Sequence, residues 1–286
     1  MERNDCKHCC TKVDKLTVKI EDNTILDEIS MHMHCNETTM LVGKNGAGKS
    51  TLVRAILNEV PYEGSISFSS KHNNSTKLTI GYVPQKIEIE ASPMSVYDFI
   101  ASVTGHGPVC FYKSKKQYVK ILEHLKEFGA EKLIDKRMCD LSGGQVQRVL
   151  IAAATMPYPE LLIMDEPVSG IDASGKQDFY KLINEIKNTK DIAILIISHD
   201  FEYVKKYADK VVLLDKKILK VGSAEEVLKS VEFKNEFKTL YPDFYETFYN
   251  ILKNNFTTLE YLNNFIGDKN VYLWGASNFL KKLLEK

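Results

Sequence analysis

The stretch Gly43-Lys44-Asn45-Gly46-Ala47-Gly48-Lys49-Ser50-Thr51 constrains this chain more than any other. It fits the pattern G-x-x-x-x-G-K-[ST], in which a glycine-rich turn joins a strand to a helix. Both flanks agree with it. Residues 38–42, Thr-Thr-Met-Leu-Val, are β-branched and apolar in the manner of a buried strand. Residues 52–57 read as the opening turns of a helix. Glycines let such a backbone approach a polyphosphate in conformations that a Cβ would block. The free N–H groups at the helix start point at the anion, and the helix dipole favours negative charge there. Lys49 adds a point charge for the terminal phosphates, and Ser50 offers a hydroxyl to Mg²⁺.

The pattern along the chain says what surrounds this loop. Residues 13–20 alternate apolar and polar, Glu21-Asp22-Asn23 is a turn signal, and Ile25-Leu26 resumes an apolar run. His32, His34 and Cys35 follow on what reads as another strand, with the two histidines on one face. That pair suits either a metal ion or an ordinary half-buried strand surface, and the second is the commoner use. Further strands are expected at 64–68 and 79–83. From 96 to about 140 the spacing turns helical, through Val96, Phe99, Ile100 and Val103 and then Ile121, Leu122, Leu125 and Phe128. Gly105-His106-Gly107-Pro108 separates the two segments. A helical insert over about 86–140 thus sits between strand-rich halves. Beyond it come a buried helix at 146–156, an apolar strand at 161–165, an amphipathic helix at 176–187, a second apolar strand at 192–197 and a closing hairpin over 211–222. Strands alternating with helices imply an α/β core with a largely parallel sheet.

Two carboxylates end the strand at 161–165. A buried strand that delivers Asp165 at its carboxyl end brings a ligand for Mg²⁺ to the edge where α/β sheets bind their substrates. Glu166, next in line, is placed to take a proton from an attacking water.

At Leu141-Ser142-Gly143-Gly144-Gln145 the chain resembles the ATP-binding cassette (ABC) ATPases, whose signature motif that pentapeptide matches. The resemblance covers about residues 12–228, with the motifs in the family's order. It implies a P-loop NTPase core with an antiparallel β subdomain and a helical signature subdomain; outside it, residues 229–286 read as a C-terminal helical extension. Gln85 is similar to the family's Q-loop glutamine, Asp165 to its Walker B aspartate and Glu166 to its catalytic glutamate. Ser169-Gly170-Ile171-Asp172 resembles the D-loop, and His199 the switch histidine. The resemblance implies a head-to-tail homodimer of cassettes. ATP would lie between one copy's P-loop and the other's Ser142, Gly143, Gly144 and Gln145. Lys49 and His199 would hold the γ-phosphate, and Ser50 and Gln85 would touch Mg²⁺. Asp172 would lie beside the nucleotide. The family usually stacks an aromatic ring on adenine. The equivalent place here falls near Ile20, whose aliphatic side chain implies weaker base selectivity.

The pattern is most similar to the cassettes of zinc and manganese importers. That implies an integral membrane permease as partner, reached through residues 93–103, and an external substrate-binding protein acting indirectly. Alternatives are a cassette for another substrate, or a non-transport ABC ATPase working on nucleic acid or ribosomes. Lys+Arg and Asp+Glu both number 38, and this zero net charge argues against nucleic acid as the main partner. No apolar run approaches the roughly 18 residues that span a bilayer. With no apolar leader at the N-terminus, the expected location is the cytoplasm, on the inner face of the membrane.

Both ends of the chain lie outside this core. Residues 1–11 read as a flexible tail carrying Cys6, His8, Cys9 and Cys10. Thiolate and imidazole suit zinc or copper, but the spacing is tight for one tetrahedral site, which favours reduced thiols. Six cysteines in 286 residues do not form a disulfide framework, and a reducing compartment is the expectation. Residues 229–286 are rich in Phe, Tyr, Leu and Lys and suggest amphipathic helices broken at Pro242. They would serve either as an accessory unit or as plain packing.

Overall fold

A computed structural model describes residues 10–69, 79–85, 93–104 and 114–238. The chain divides into two units, 1–230 and 231–286. The first contains β1 (Cys10–Ile20), β2 (Asn23–His34), β3 (Thr38–Val42), α1 (Lys49–Ile56), β4 (Glu63–Ser69) and β5 (Ile80–Val83). The helical segment supplies α2 (Val96–Val103), α3 (Lys115–Glu127) and α4 (Gly143–Ala154). Then follow β6 (Leu161–Asp165), α5 (Ala173–Lys190), β7 (Ala193–Ile197), α6 (Phe201–Tyr207), β8 (Lys210–Asp215), β9 (Lys217–Gly222) and α7 (Ala224–Leu228). Of the second unit, α8 (Val231–Lys238) is described. The N-terminal Cys6, His8 and Cys9, the Gly105–Pro108 break and residues 239–286 lie outside the described residues.

Six strands form the central sheet in the order β5-β6-β7-β3-β8-β9. All neighbours are parallel except β8 and β9, the antiparallel hairpin expected at the end of the core. Strands β3, β6 and β7 are buried at every position. That is why they read as continuous apolar runs rather than as alternations: a parallel sheet is covered on both faces. β3 lies between β7 and β8, with Met40 opposite both Ile196 and Val211. The glycine-rich turn therefore leaves from the middle of the sheet.

The second sheet is antiparallel, in the order β2-β1-β4. Its apolar face shares one core with α1 and the central sheet, through Val13, Leu16, Ile29 and Met33 against Leu41, Leu52, Ile56 and Leu195. Completely burying one such aliphatic side chain stabilises by about 1.5–3 kcal/mol, so α1 is anchored by its own apolar stripe.

One departure from the sequence reading has a clear cause. Residues 25–26 and 32–35 read as separate strands, but β2 passes through both up to His34. Its buried positions step from Leu26 to Ile29 and then to Met31 and Met33. The change of phase coincides with Glu28, at φ 52°, and with register shifts against β1. A β-bulge inserts one residue and turns the strand without ending it. His32 and His34 do share a face, with ring centroids 6.1 Å apart and edge-on. Among the described residues, no three His, Cys, Asp or Glu side chains gather as for a metal ion.

β1 also begins earlier than its alternation suggested, at Cys10, which sits opposite His34 on one side and Ser69 on the other. The strand thus runs alongside the end of β2 from its first residue. Cys35, just beyond that end, is disulfide-bonded, which corrects the expectation of reduced thiols at this position. Cys139 is a free, exposed thiol.

Candidate active site

The loop between β3 and α1 is shaped by what surrounds it. A Cβ on Gly43 would lie 2.2 Å from the backbone oxygen of Leu214 on β8, so only glycine fits there. Gly48, at φ 95°, caps the start of α1 in the left-handed region that glycine adopts without penalty. Lys49 is the first residue of α1 and is 6% exposed. Its ammonium donates to the carbonyl oxygens of Gly43 and Lys44, both at 2.7 Å. The loop's own carbonyls therefore hold the cation over the turn, with Lys44, Asn45, Gly46 and Ala47 forming its crest. A Cβ at Gly46 would meet nothing within 4 Å, so the crest is open on that side. The helix start at Ser50 and Thr51 follows without a side-chain cap, which leaves its N–H groups available to an anion.

The neighbouring strands bring the carboxylates to the same edge. Ser50 Oγ donates to Asp165 Oδ2 at 3.3 Å, joining α1 to the end of β6. Glu166 leaves the strand at φ 48° while its N–H still donates to Ile197 O of β7 at 3.1 Å. Its carboxylate is gripped from two directions. Gln85 Nε2, just past β5, donates to Oε2 at 2.7 Å. His199 Nε2, just past β7, stands 2.7 Å from Oε1. Loops from four different strands thus deliver Lys49, Ser50, Gln85, Asp165, Glu166 and His199 to one cluster at the carboxyl edge of the sheet.

The electrostatics follow from burial. Burial pulls the Lys49 ammonium below its ordinary range, and the nearby Glu166 and Asp165 carboxylates oppose that shift. Burial pushes the Asp165 carboxyl up, against the bond from Ser50. The His199 imidazole is pulled down by burial first and by the Lys49 charge second, so it favours the neutral form. Mg²⁺ takes hard oxygen ligands. The Ser50 hydroxyl and Asp165 carboxylate, with the Gln85 amide on the adjoining carboxylate, form a donor set that fits that ion.

A second group forms elsewhere. Ser142 caps α4 in a reciprocal box with Gln145, whose Oε1 accepts from Ser142 N at 3.1 Å. Gly143 faces Gly170 O at 4.0 Å from its would-be Cβ, and Gly144 faces nothing within 4 Å. Asp172 caps α5 by accepting from Gly175 N at 3.0 Å. A cavity of about 40 Å³ is lined by Gly144 and Arg148 of α4 and by Ile171, Gly175 and Phe179. Within one chain, Ser142, Gly143 and Gly144 therefore sit with the Asp172 turn, and no described hydrogen bond joins them to the Lys49 cluster. Ile20 ends β1 opposite Asn23 and is 48% exposed, a large aliphatic side chain presented to solvent.

The contacts behind His199 have no motif to announce them. Lys176 pairs with Asp200 at 2.9 Å, and Tyr203 OH donates to Ala173 O at 3.1 Å. A lysine and a tyrosine on amphipathic helices carry no motif. The available signal was the spacing of Ala173, Lys176 and Tyr180 on one helix face.

A glycine loop holding a lysine at a helix start, a buried aspartate beside the helix's first hydroxyl and a glutamate clamped by a histidine define a nucleotide-hydrolysing P-loop enzyme. The model of one family, described as "ABC transporter", matches residues 26–169. The zinc import ATP-binding protein ZnuC of Buchnera aphidicola from Acyrthosiphon pisum is 38% identical over 228 residues, covering 79% of this chain and 89% of that protein. ZnuC of Vibrio vulnificus is 37% identical over 74% of this chain and 76% of its own length. Among solved structures, an ATP-binding cassette of an ABC transporter in its ADP conformation superposes with a TM-score of 0.70 at 22% identity, over 81% of this chain and 99% of that one. CbiO1 of Clostridium perfringens, part of the ABC transporter complex CbiONQ, gives 0.64 at 29% identity over 81% and 95%. The chain belongs to the ABC transporter family, as one of its ATP-binding cassettes.

Proposed function

We propose that this cassette hydrolyses ATP to drive a membrane permease that imports a divalent metal cation, zinc before manganese. The observation that carries the cargo is the relatives' length match: proteins named for zinc import align over 89% and 76% of their own chains. The cluster at the sheet edge carries the chemistry. Lys49, fixed by two carbonyls, meets the β and γ phosphates with no reorganisation. Ser50, Asp165 and Gln85 would hold Mg²⁺, which neutralises charge on the transferred phosphoryl group. Glu166 takes the proton of the attacking water on a carboxylate oxygen. Gln85 and His199 orient that carboxylate and are positioned to shift to the metal and the γ-phosphate. Catalysis is then mainly positioning and charge stabilisation.

Ser142, Gly143 and Gly144 lie with the Asp172 turn and share no described hydrogen bond with the Lys49 cluster, which supports an arrangement in which a second copy's signature helix completes the nucleotide site. ATP would join two copies and hydrolysis would release them. Met94 just before α2 and Val103 at its end, 39% and 57% exposed, suit the permease contact. The transport path would belong to that partner; among the described residues no helix is long and apolar enough to cross a membrane. The cassette would work on the cytoplasmic face.

The test is uptake of labelled zinc and manganese by cells lacking this protein. Zinc uptake is expected to fall, and the wild-type gene but not Glu166→Gln should restore it. Loss of manganese uptake alone would rename the cargo, and loss of neither would remove the metal assignment.

A further inference from the structure

His199 sits in the short connection between β7 and α6, outside any ladder that would fix it. Contacts from that connection and from α6 tie it to α5. Lys176 Nζ donates to Asp200 Oδ2 at 2.9 Å. Tyr203 OH donates to Ala173 O at 3.1 Å. The Tyr180 ring stacks on Tyr203, with centroids 4.9 Å apart at 16°, and on Tyr207, at 5.2 Å and 11°. On α5 the attachment points are 173, 176 and 180, and on the other side they are 200, 203 and 207. Both sets follow the three-then-four spacing of one helix face. Ser198, 4% exposed, completes the fastening: its Oγ accepts from Asp200 N at 3.1 Å and lies 3.5 Å from Tyr180 OH. The residues on both sides of His199 are therefore held by α5, while the imidazole itself reaches Glu166. α5 begins at the Asp172 cap, and Gly175 lets that cap close. A Cβ there would lie 2.9 Å from Asp172 Oδ1 and 2.5 Å from Ile171 Cγ2.

We propose that Lys176 and Tyr203 are positioning residues that set the aim of His199 at Glu166 from the Asp172 turn, so that movement of that turn is passed to the histidine within the same chain. The proposal rests on the reading of Glu166 and His199 as the hydrolytic pair. Stability alone does not account for this placement. The aromatic stack already packs α6 on α5, and the Lys176–Asp200 pair, with side chains 27% and 30% exposed, is partly screened by solvent. The polar contacts stand instead at the end nearest the site.

The experiment is a kinetic cycle on the full-length chain with Mg-ATP. Lys176→Met is expected to lower kcat about tenfold with KM changed less than about twofold, because misaiming a group in the transition state leaves ground-state binding intact. Lys176→Arg should recover most of the rate, and Tyr203→Phe should show a smaller loss of the same kind. In a His199→Ala background, Lys176→Met should cost less than about twofold more, since residues acting through one another are not additive. Full additivity in that background, a rise in KM with kcat unchanged, or a Lys176→Met enzyme at the wild-type rate would each overturn the proposal while leaving the hydrolytic pair standing. A His199→Ala enzyme as active as wild type would overturn both.

Discussion

The Lys49 cluster and the Ser142–Gly144 turn differ in how complete each is alone. In the cluster, Lys49 and Asp165 are each 6% exposed, and Lys49, Ser50, Gln85, Glu166 and His199 all find partners within it or in the loop backbone. At the turn, Ser142 and Gly143 are exposed, and the side chains of Ser142 and Gln145 are engaged in capping their own helix. What the turn presents outward is a helix N-terminus with no side chain over Gly144. The first region is a finished device held by the fold. The second is an open helix N-terminus, a kind of surface that an anion can approach. Altering the first should damage chemistry or folding, whereas the second can be blocked with the fold intact.

The largest expected effect tests whether the closed cluster is the chemical one. Glu166→Gln should keep nucleotide binding and thermal stability while phosphate release falls about 10²–10⁴-fold, the usual worth of a general base. Hydrolysis at the normal rate would show that the base lies elsewhere. A smaller effect probes the packing of the same region. Gly43→Ala places a methyl 2.2 Å from Leu214 O and should cost about 1–3 kcal/mol of folding stability, read from denaturant midpoints. An unchanged midpoint would mean that β3 and β8 part easily, and the cluster would not be rigid. The smallest effect sharpens the contrast. Gly144→Asp meets open space near a helix start that favours negative charge, so its midpoint should shift by no more than about 0.5 kcal/mol. Its hydrolysis should nevertheless fall about tenfold, because a carboxylate there repels an incoming phosphate. If stability fell with activity, the turn would be part of the scaffold and not an exposed receiver.

The two regions also differed in how far they could be read before folding. Residues 43–51 and 161–166 were legible because phosphate binding and metal binding demand particular residue types at close spacing, and strands buried on both faces advertise themselves as apolar runs. Gln85 and Glu166 are 81 residues apart in sequence, and their 2.7 Å contact is a product of β5 lying beside β6. Motif order identified those residues, but spacing alone could not supply the distance. The bulge at Glu28 was illegible for a different reason: a one-residue insertion in a strand has the same pattern as two strands with a break. The Lys176–Asp200 pair was hidden because either partner alone is an ordinary surface charge, and only the folding of β7 and α6 against α5 joins them.

The antiparallel extension of β1 past its apolar alternation and the three-residue step in β2 belong to the smaller sheet, and the disulfide at Cys35 lies at its margin, where side chains alternate and sequence patterns are more exposed to accident. The central sheet behaved otherwise. Asp165 lies opposite Ile197 in the β6–β7 ladder, and the next residue on each strand's path is Glu166 or leads through Ser198 to His199. Glu166 and His199 are thus spaced by main-chain hydrogen bonds that any residue but proline can make. Residues 161–164 and 193–196 are free to drift among apolar side chains over evolutionary time without moving the chemistry. A single inserted or deleted residue in either strand, by contrast, would separate the pair in one event. Genetic variation in this protein should accordingly be generous in spelling and strict in length along those two strands.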